Sequence, residues 1–168
     1  MKRATKWVIA LLFIPLVAYS GFVTYDWLEG EKERKVIVSY AIAVSDIPLR
    51  ELSEMGSVFE YLRGHDAEDL LRERISKYQF HARALYYSSS MLYTLTRDET
   101  YQIFRTAMRN LESFFLSVNN KPNTKEIIEN NLNVLKQVGY ILNAINRINN
   151  LTLTDAENLL KLSKELKY

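Results

Sequence analysis

The chain has 168 residues, 22 Lys and Arg against 20 Asp and Glu, and no cysteine. This length suits one domain with a real hydrophobic core. Without cysteine, the chain has no disulfide, no thiolate metal site and no thiol nucleophile. Beyond Tyr25 the basic and acidic residues nearly balance. The sequence therefore lacks the concentrated positive charge that nucleic-acid binding relies on, and we predict no nucleic-acid partner.

An almost continuous apolar run, Val8–Tyr25, follows the first residues of the chain. About twenty helical residues span roughly 30 Å, the thickness of the hydrocarbon core of a bilayer. Trp7 and Trp27 bracket the run, and Trp and Tyr are the residues that settle at the headgroup level. We therefore predict a transmembrane signal-anchor helix over residues 7–27, preceded by a short tail, residues 1–6.

Charges around the span predict its orientation. Lys2, Arg3 and Lys6 crowd the residues before it, whereas basic and acidic residues are mixed after it. A short basic amino end favours the cytoplasmic side. The sequence thus predicts a single-pass protein of the cell membrane, with residues 1–6 in the cytoplasm and residues 28–168 as an extracytoplasmic domain.

A cleaved signal peptide is the alternative interpretation of the same residues. Pro15 breaks the apolar run, and Ala18-Tyr19-Ser20 is a small-x-small cleavage pattern, which would give a secreted protein after cleavage near Ser20. However, Phe22, Tyr25 and Trp27 continue the apolar pattern past that point. The continuation favours the anchor, for which Trp7, Pro15, Tyr25 and Trp27 are the predicted membrane residues.

Beyond the span, apolar residues recur at intervals of three and four, which predicts an all-α domain. The first helix is predicted from about Glu31 to Arg63, with a bend near Asp46-Ile47-Pro48 because proline cannot donate an amide hydrogen. Asp66 is the predicted cap of the second helix. The second helix carries the most regular seam, with near-heptad spacing typical of a coiled coil: Leu71, Ile75, Tyr78, Ala82, Leu85, Ser89 and Leu92.

Three further helices are predicted from their starting signals. Thr96-Arg97-Asp98-Glu99 and Asn123-Thr124-Lys125-Glu126 are capping-box patterns that begin the third and fourth helices. The fourth ends at Asn149 and Asn150, and a short last helix begins at Thr154. Short connections make consecutive helices antiparallel. The predicted fold is an antiparallel bundle of four main helices plus a short C-terminal helix.

Candidate catalytic residues are few. His65 and Glu68 have an H-x-x-E spacing, but no matching pair occurs elsewhere, and a solvated turn histidine is the simpler interpretation. For His81 we expect partial burial and a hydrogen bond to a neighbour. Ser88-Ser89-Ser90 is interpreted as a set of small residues that permits close packing. The sequence predicts no catalytic residue, no metal site and no cofactor, hence no enzyme.

Aromatic residues and arginines are dense in the second and third predicted helices. Core filling is the favoured interpretation of the aromatic side chains. The alternative is a groove with an aromatic floor and an arginine rim for a carboxylate ligand or a partner's acidic helix, formed by Tyr86, Tyr93, Tyr101, Arg105 and Arg109. An ion pair between Arg109 and Glu112, three residues apart, explains some of the charge equally well.

Two asparagines carry separate expectations. Asn150-Leu151-Thr152 is a glycosylation sequon, which suits an exterior domain. Asn131 lies on the inner stripe of the fourth helix, where a buried amide fixes register, or at its edge, where it bonds to water or backbone. The edge position is the favoured interpretation.

Two function classes follow from the pattern. The first is a membrane-anchored, non-catalytic interaction or accessory module, with the lipid bilayer and a membrane or extracytoplasmic protein as partners. The second is a sensor-type helical bundle that binds a small molecule and acts through a membrane partner.

Overall fold

The computed structural model describes the backbone of residues 3–65 and 68–168 and the side chains of residues 17–65 and 68–168. Every regular element in this part of the chain is helical. They are α1 (Arg3–Ser53), α2 (Met55–Arg63), α3 (Glu68–Thr96), α4 (Glu99–Asn119), α5 (Thr124–Ile145), a 3₁₀ turn (Ile148–Asn150) and α6 (Leu153–Glu165). The all-α prediction is confirmed. Asp66, the predicted cap of the second helix, lies outside the described residues.

The chain divides into two compact units, Met1–Ile37 and Val38–Tyr168. The first unit consists of the amino-terminal part of α1. No helix within the described ranges has a segment that is both long and apolar enough to cross a membrane. The predicted span over residues 7–27 depends partly on residues 7–16, whose side chains are outside the described set, so it stays a prediction.

The second unit is a helical bundle, as predicted. Its α3 and α4 are antiparallel, since Arg83 near the middle of α3 pairs with Glu112 of α4 at 2.6 Å, while Arg72 near the start of α3 reaches the end of α4. There the Arg72 guanidinium donates to the carbonyl oxygens of Asn119 at 2.7 Å and Lys121 at 3.1 Å. Arg72 thus satisfies carbonyls that the helix end leaves without partners.

The near-heptad seam of α3 faces the core, because every one of its residues from Leu71 to Leu92 is buried. Aromatic rings from three helices meet there. Phe59 of α2 lies 5.2 Å from Tyr78 of α3 and 6.2 Å from Phe115 of α4, measured between ring centroids. Phe114 and Phe115 are fully buried as well. Core filling is thus confirmed for Phe104, Phe114 and Phe115, and it is wrong for Tyr87, which is 63 % exposed.

The bend predicted near Asp46-Ile47-Pro48 does not interrupt α1, which runs through Pro48 and ends at Ser53. Proline removes one backbone hydrogen bond from a helix. Leu49 and Leu52, which follow it closely, are almost completely buried, and burying a leucine side chain is worth about 1.5–3 kcal/mol. We attribute the continuity of α1 to this packing.

The break at Glu54 lies where α5 crosses the junction of α1 and α2. A Cβ on Gly139 of α5 would lie 2.7 Å from the carbonyl oxygen of Ser53, and a Cβ on Gly56 would lie 2.7 Å from the Cα of Lys136. Only glycine at both positions allows the backbones to approach this closely. The two glycines therefore fix the crossing of α5 over the end of α1.

The carboxyl-terminal elements differ from the sequence prediction at two boundaries. The helix expected to reach Asn149 ends at Ile145, because Asn146 has positive φ, 56°, and stops it. The last helix begins at Leu153 rather than Thr154, since Thr152 and Asp155 form a reciprocal capping box. The predicted pattern placed the cap two residues too late because Asp155, like Glu, can complete such a box.

Asn131 is buried, at 2 % exposure, and does not lie at the edge of the stripe, so the favoured interpretation of its position is wrong. Its Nδ2 donates to the carbonyl oxygen of Lys167 at 2.8 Å, and its Oδ1 accepts from the backbone nitrogen of Lys167 at 2.8 Å. The Asn131 amide thus makes the two hydrogen bonds to the Lys167 backbone, after α6, that a backbone partner would otherwise make. It is bonded to backbone, as one part of the prediction stated.

Candidate functional site

Two residues of the predicted aromatic and arginine groove contact each other. The Arg105 guanidinium lies over the ring of Tyr93, 5.5 Å from its centroid, a cation–π contact. Tyr86 and Tyr101 are half-buried, and Arg109 is exposed. Burial raises the pKa of Tyr101. The Arg109 to Glu112 pairing is wrong, because Glu112 pairs with Arg83 across the α3–α4 contact instead. A ligand groove at these residues stays a prediction.

The two histidines differ in environment. His65 is exposed, with its Nδ1 2.8 Å from the carbonyl oxygen of Tyr61 and its ring stacked on the Tyr61 ring at 4.4 Å. It is a turn residue, as interpreted from the sequence. Within the described ranges, no three His, Asp or Glu side chains are grouped so that they could hold a metal ion.

His81 departs from its prediction. It is only 8 % exposed, and neither ring nitrogen has a hydrogen-bond partner among the described residues. The expected bond to a neighbour is wrong because the nearby carboxylate, Glu51 of α1, already pairs with Lys77 at 2.7 Å. Burial lowers the pKa of His81, and the charge of Glu51 opposes that shift. Burial thus favours the neutral form of the ring.

The contact between α1 and α3 is built from small residues. The Ser45 hydroxyl lies 2.9 Å from the Ser88 hydroxyl, and both serines, with Ser89, are buried. This agrees with the interpretation of the serine run as a packing feature. From Ser45–Ser88 to Glu51–Lys77, residue numbers rise on α1 and fall on α3, so the two helices are antiparallel.

Large apolar side chains are exposed beside this contact. On α3, Phe80 is 66 % exposed and Tyr87 is 63 % exposed; on α1, Ile47 is 60 % exposed. We call this set the α1–α3 apolar face. Its members are Tyr40, Val44, Ile47, Phe80, Tyr87 and Met91.

Helix geometry places these side chains on one side of the helix pair. Val44 and Tyr87 immediately precede Ser45 and Ser88, which face each other. In an antiparallel pair, residues that precede two facing residues turn to the same side, because each step along a helix rotates by about 100°. Tyr40 and Ile47 flank Val44 at helical spacing, as Phe80 and Met91 flank Tyr87. The α1–α3 apolar face is therefore contiguous.

A polar pocket of about 320 Å³ lies on the other flank of α1, where α1 meets the end of α5. Sequence reasoning did not find it. Its walls carry charged and amide groups over two leucines. The lining residues are Asp46, Leu49, Arg50, Ser53, Leu142, Asn143, Asn146 and Arg147.

Comparisons with protein-family models, with curated proteins and with solved structures found no match for this chain. Its function must therefore be argued from the α1–α3 apolar face and the polar pocket themselves, since fold alone does not determine function.

The remaining predicted residues lie apart from both surfaces. Asn150 is exposed in the 3₁₀ turn, with its Nδ2 3.4 Å from the carbonyl oxygen of Ile145, and its glycosylation stays a prediction. Tyr25 and Trp27 are exposed on α1 in the first unit. The side chains of Trp7 and Pro15 lie outside the described residues.

Proposed function

We propose that this chain is a non-catalytic, membrane-tethered interaction module whose bundle binds a partner protein through the α1–α3 apolar face. The observation that carries the proposal is the contiguous exposure of large apolar and aromatic side chains beside the Ser45–Ser88 contact. Contiguous apolar patches on soluble surfaces mark interaction sites, and Tyr, Phe and Met are enriched in protein interfaces.

The rim of the face supports a protein partner over lipid. The Glu51–Lys77 ion pair lies beside Phe80, and Arg83 with Glu112 lies beyond Tyr87. Mixed charges around an apolar centre are typical of a protein interface, which has a polar rim. The predicted extracytoplasmic domain would present this face to a membrane or extracytoplasmic protein.

The tether is proposed for residues 7–27. Val17, Phe22, Tyr25 and Trp27 are exposed on the amino-terminal part of α1. Large apolar side chains in water are unfavourable, and a bilayer would remove them from it. Resistance of the native protein to carbonate extraction, with an intact mass that includes the first 20 residues, supports the tether. Release by carbonate, or loss of those residues, contradicts it.

Site-specific photocrosslinking tests the interaction. A photoreactive phenylalanine analogue is placed at Ile47, at Tyr87 or at Tyr140, in the full-length chain in its native cells. Tyr140 is the matched control, because it is 76 % exposed on α5, away from the proposed face. We expect the same partner, identified by mass spectrometry, from positions 47 and 87 and not from position 140.

A substitution on the α1–α3 apolar face gives a second test of the crosslink. Phe80→Glu places a charge on the face, two helical turns from Tyr87, and should abolish the crosslink from position 87 while leaving the melting temperature unchanged, since Phe80 is exposed. No adduct at 47 and 87, or the same adducts at all three positions, contradicts the proposal. The second candidate function, a small-molecule sensor, is favoured by the polar pocket.

A further inference from the structure

We infer that the pocket between α1 and the end of α5 is a binding site for a free amino acid, with Arg50 and Arg147 holding its carboxylate and Asp46 holding its ammonium group. The site is separate from the α1–α3 apolar face, because the two lie on different flanks of α1. The amino-acid site does not depend on the proposed interaction, and it gives the ligand class for the small-molecule sensor, the second candidate function.

Asp46 supplies the acceptor for a cation. Its Oδ1 is buried and has no hydrogen-bond partner in the described part of the chain. Its Oδ2 lies 3.9 Å from Arg147 Nε, beyond hydrogen-bond distance. Because Oδ1 is closed to solvent, the accessible part of this carboxylate, whose side chain is 38 % exposed, is Oδ2. An ammonium group in the pocket would donate to Oδ2.

The two arginines supply donors for an anion. The Arg50 side chain is exposed, with its charge acting on the adjacent Glu51, and the Arg147 side chain has a long contact, 3.9 Å, to Asp46. A guanidinium presents parallel donors that match a carboxylate. With one charge from Asp46 and two from the arginines, the pocket carries a net positive charge. It therefore suits a ligand with a carboxylate and an amine, and favours one with a second carboxylate.

The backbone positions Arg147 at the pocket. Asn146 has φ 56° and ψ −40°, and the Arg147 nitrogen lies 2.6 Å from the carbonyl oxygen of Ile145. These values describe a γ-turn of the rare kind, in which the central residue is strained. The turn ends α5 and directs the chain so that Asn143, Asn146 and Arg147 all line the pocket. Strained turns of this type occur where the surrounding structure holds a functional group in place.

The volume of the pocket limits the ligand. About 320 Å³ is at the lower end of the range for small-molecule sites. Leu49 and Leu142, which also line it, are almost completely buried, so the groups that a ligand meets are mostly polar. Phosphate would leave Asp46 without a donor, and a simple amine would leave both arginines without an acceptor. Only a zwitterion satisfies both sides.

Isothermal titration of the full-length protein in mild detergent tests the site. The probes are L-glutamate, glutarate, which has both carboxylates and no amine, and phosphate. We expect L-glutamate to bind. Glutarate should bind at least about 10-fold more weakly, because one charge-assisted hydrogen bond is lost. Phosphate should bind more weakly still. Equal binding of all three, or no heat with L-glutamate, overturns the inference.

Variants locate the binding. Asp46→Asn should weaken L-glutamate binding and should strengthen glutarate binding, because it removes a carboxylate that repels the dianion. Arg50→Gln, at an exposed position, should weaken both. Arg63→Gln is the matched control, since Arg63 is an exposed arginine on α2 that does not line the pocket, and Arg109→Gln on α4 tests the predicted aromatic groove. If Arg109→Gln abolishes binding and Arg50→Gln does not, the ligand occupies that groove and the inference is wrong.

Discussion

Asn131 tests how strongly one buried amide stabilises the bundle. Its Nδ2 donates to the carbonyl oxygens of Ile127 and Lys167, each at 2.8 Å, and its Oδ1 accepts from the Lys167 nitrogen. Asn131→Asp is nearly isosteric, but it replaces the donating nitrogen with a second carboxylate oxygen. That oxygen would face two carbonyl oxygens in a site that excludes water.

The expected cost follows from the bonds that change. Two donated hydrogen bonds are lost, each worth about 0.5–1.5 kcal/mol, and the carbonyl of Lys167 is left without a donor. The free energy of unfolding should fall by roughly 2–4 kcal/mol, which lowers the melting temperature by about 4–16 °C in a chain of this size. Part of the loss should recover as the pH falls, because the introduced carboxyl group donates a hydrogen bond again once it is protonated.

Thermal unfolding followed by circular dichroism measures the effect. Asn133→Asp is the matched control, because Asn133 is exposed on the same helix and the substitution adds the same charge. The control should differ from the wild type by no more than about 0.5 kcal/mol. If Asn131→Asp and Asn133→Asp have the same stability, or if acid does not narrow their difference, the buried amide does not hold the chain end as argued.

Two further predictions concern the helix crossing and the buried histidine. Gly139→Ala places a Cβ 2.7 Å from the Ser53 oxygen and should destabilise the bundle by about 1–3 kcal/mol in denaturant titrations. The control Gly30→Ala, whose Cβ would have nothing within 4 Å, should stabilise α1 by up to about 1 kcal/mol. Equal effects of the two substitutions would contradict the close crossing. Burial lowers the pKa of His81 below its ordinary value of 6.5. The folded state therefore binds fewer protons than the unfolded state at acidic pH, and the free energy of unfolding should decrease as the pH falls below about 6.5. His81→Leu should remove this part of the pH dependence, and unchanged pH slopes in the variant would refute it.

Local signals predicted most of the helices. The α3 seam, with its near-heptad spacing, is buried along its whole length, because periodicity alone decides which face of a helix is apolar. The start of α4 lies within the predicted segment Thr96–Glu99, although its cap is Asp98, which accepts from the Thr100 nitrogen, and not Thr96 as the capping-box pattern predicted. These features depend only on residues a few positions apart, which is why a single sequence suffices to find them.

Pairing between distant residues was not predictable in the same way. Glu112 has a candidate partner three residues away in Arg109, yet it pairs with Arg83 across two helices. The sequence predicts a partner for His81, but Glu51 is already engaged by Lys77. In both cases several partners compete, and the packing of the helices, rather than the spacing along one of them, decides between them.

The polar pocket also depends on how the helices pack and not on residue spacing along one helix. Asp46 and Arg50 lie one turn apart on α1, and Asn143 and Arg147 have the same four-residue spacing within the helix that the sequence predicts as far as Asn149, so each pair alone is typical of an ordinary solvated helix face. They become one pocket because Gly139 lets α5 approach the end of α1, where its missing side chain leaves room for the Ser53 carbonyl. A glycine in a helix interior lowers helix stability by about 1 kcal/mol relative to alanine. That cost is consistent with a crossing that serves both the packing of the bundle and the geometry of the pocket.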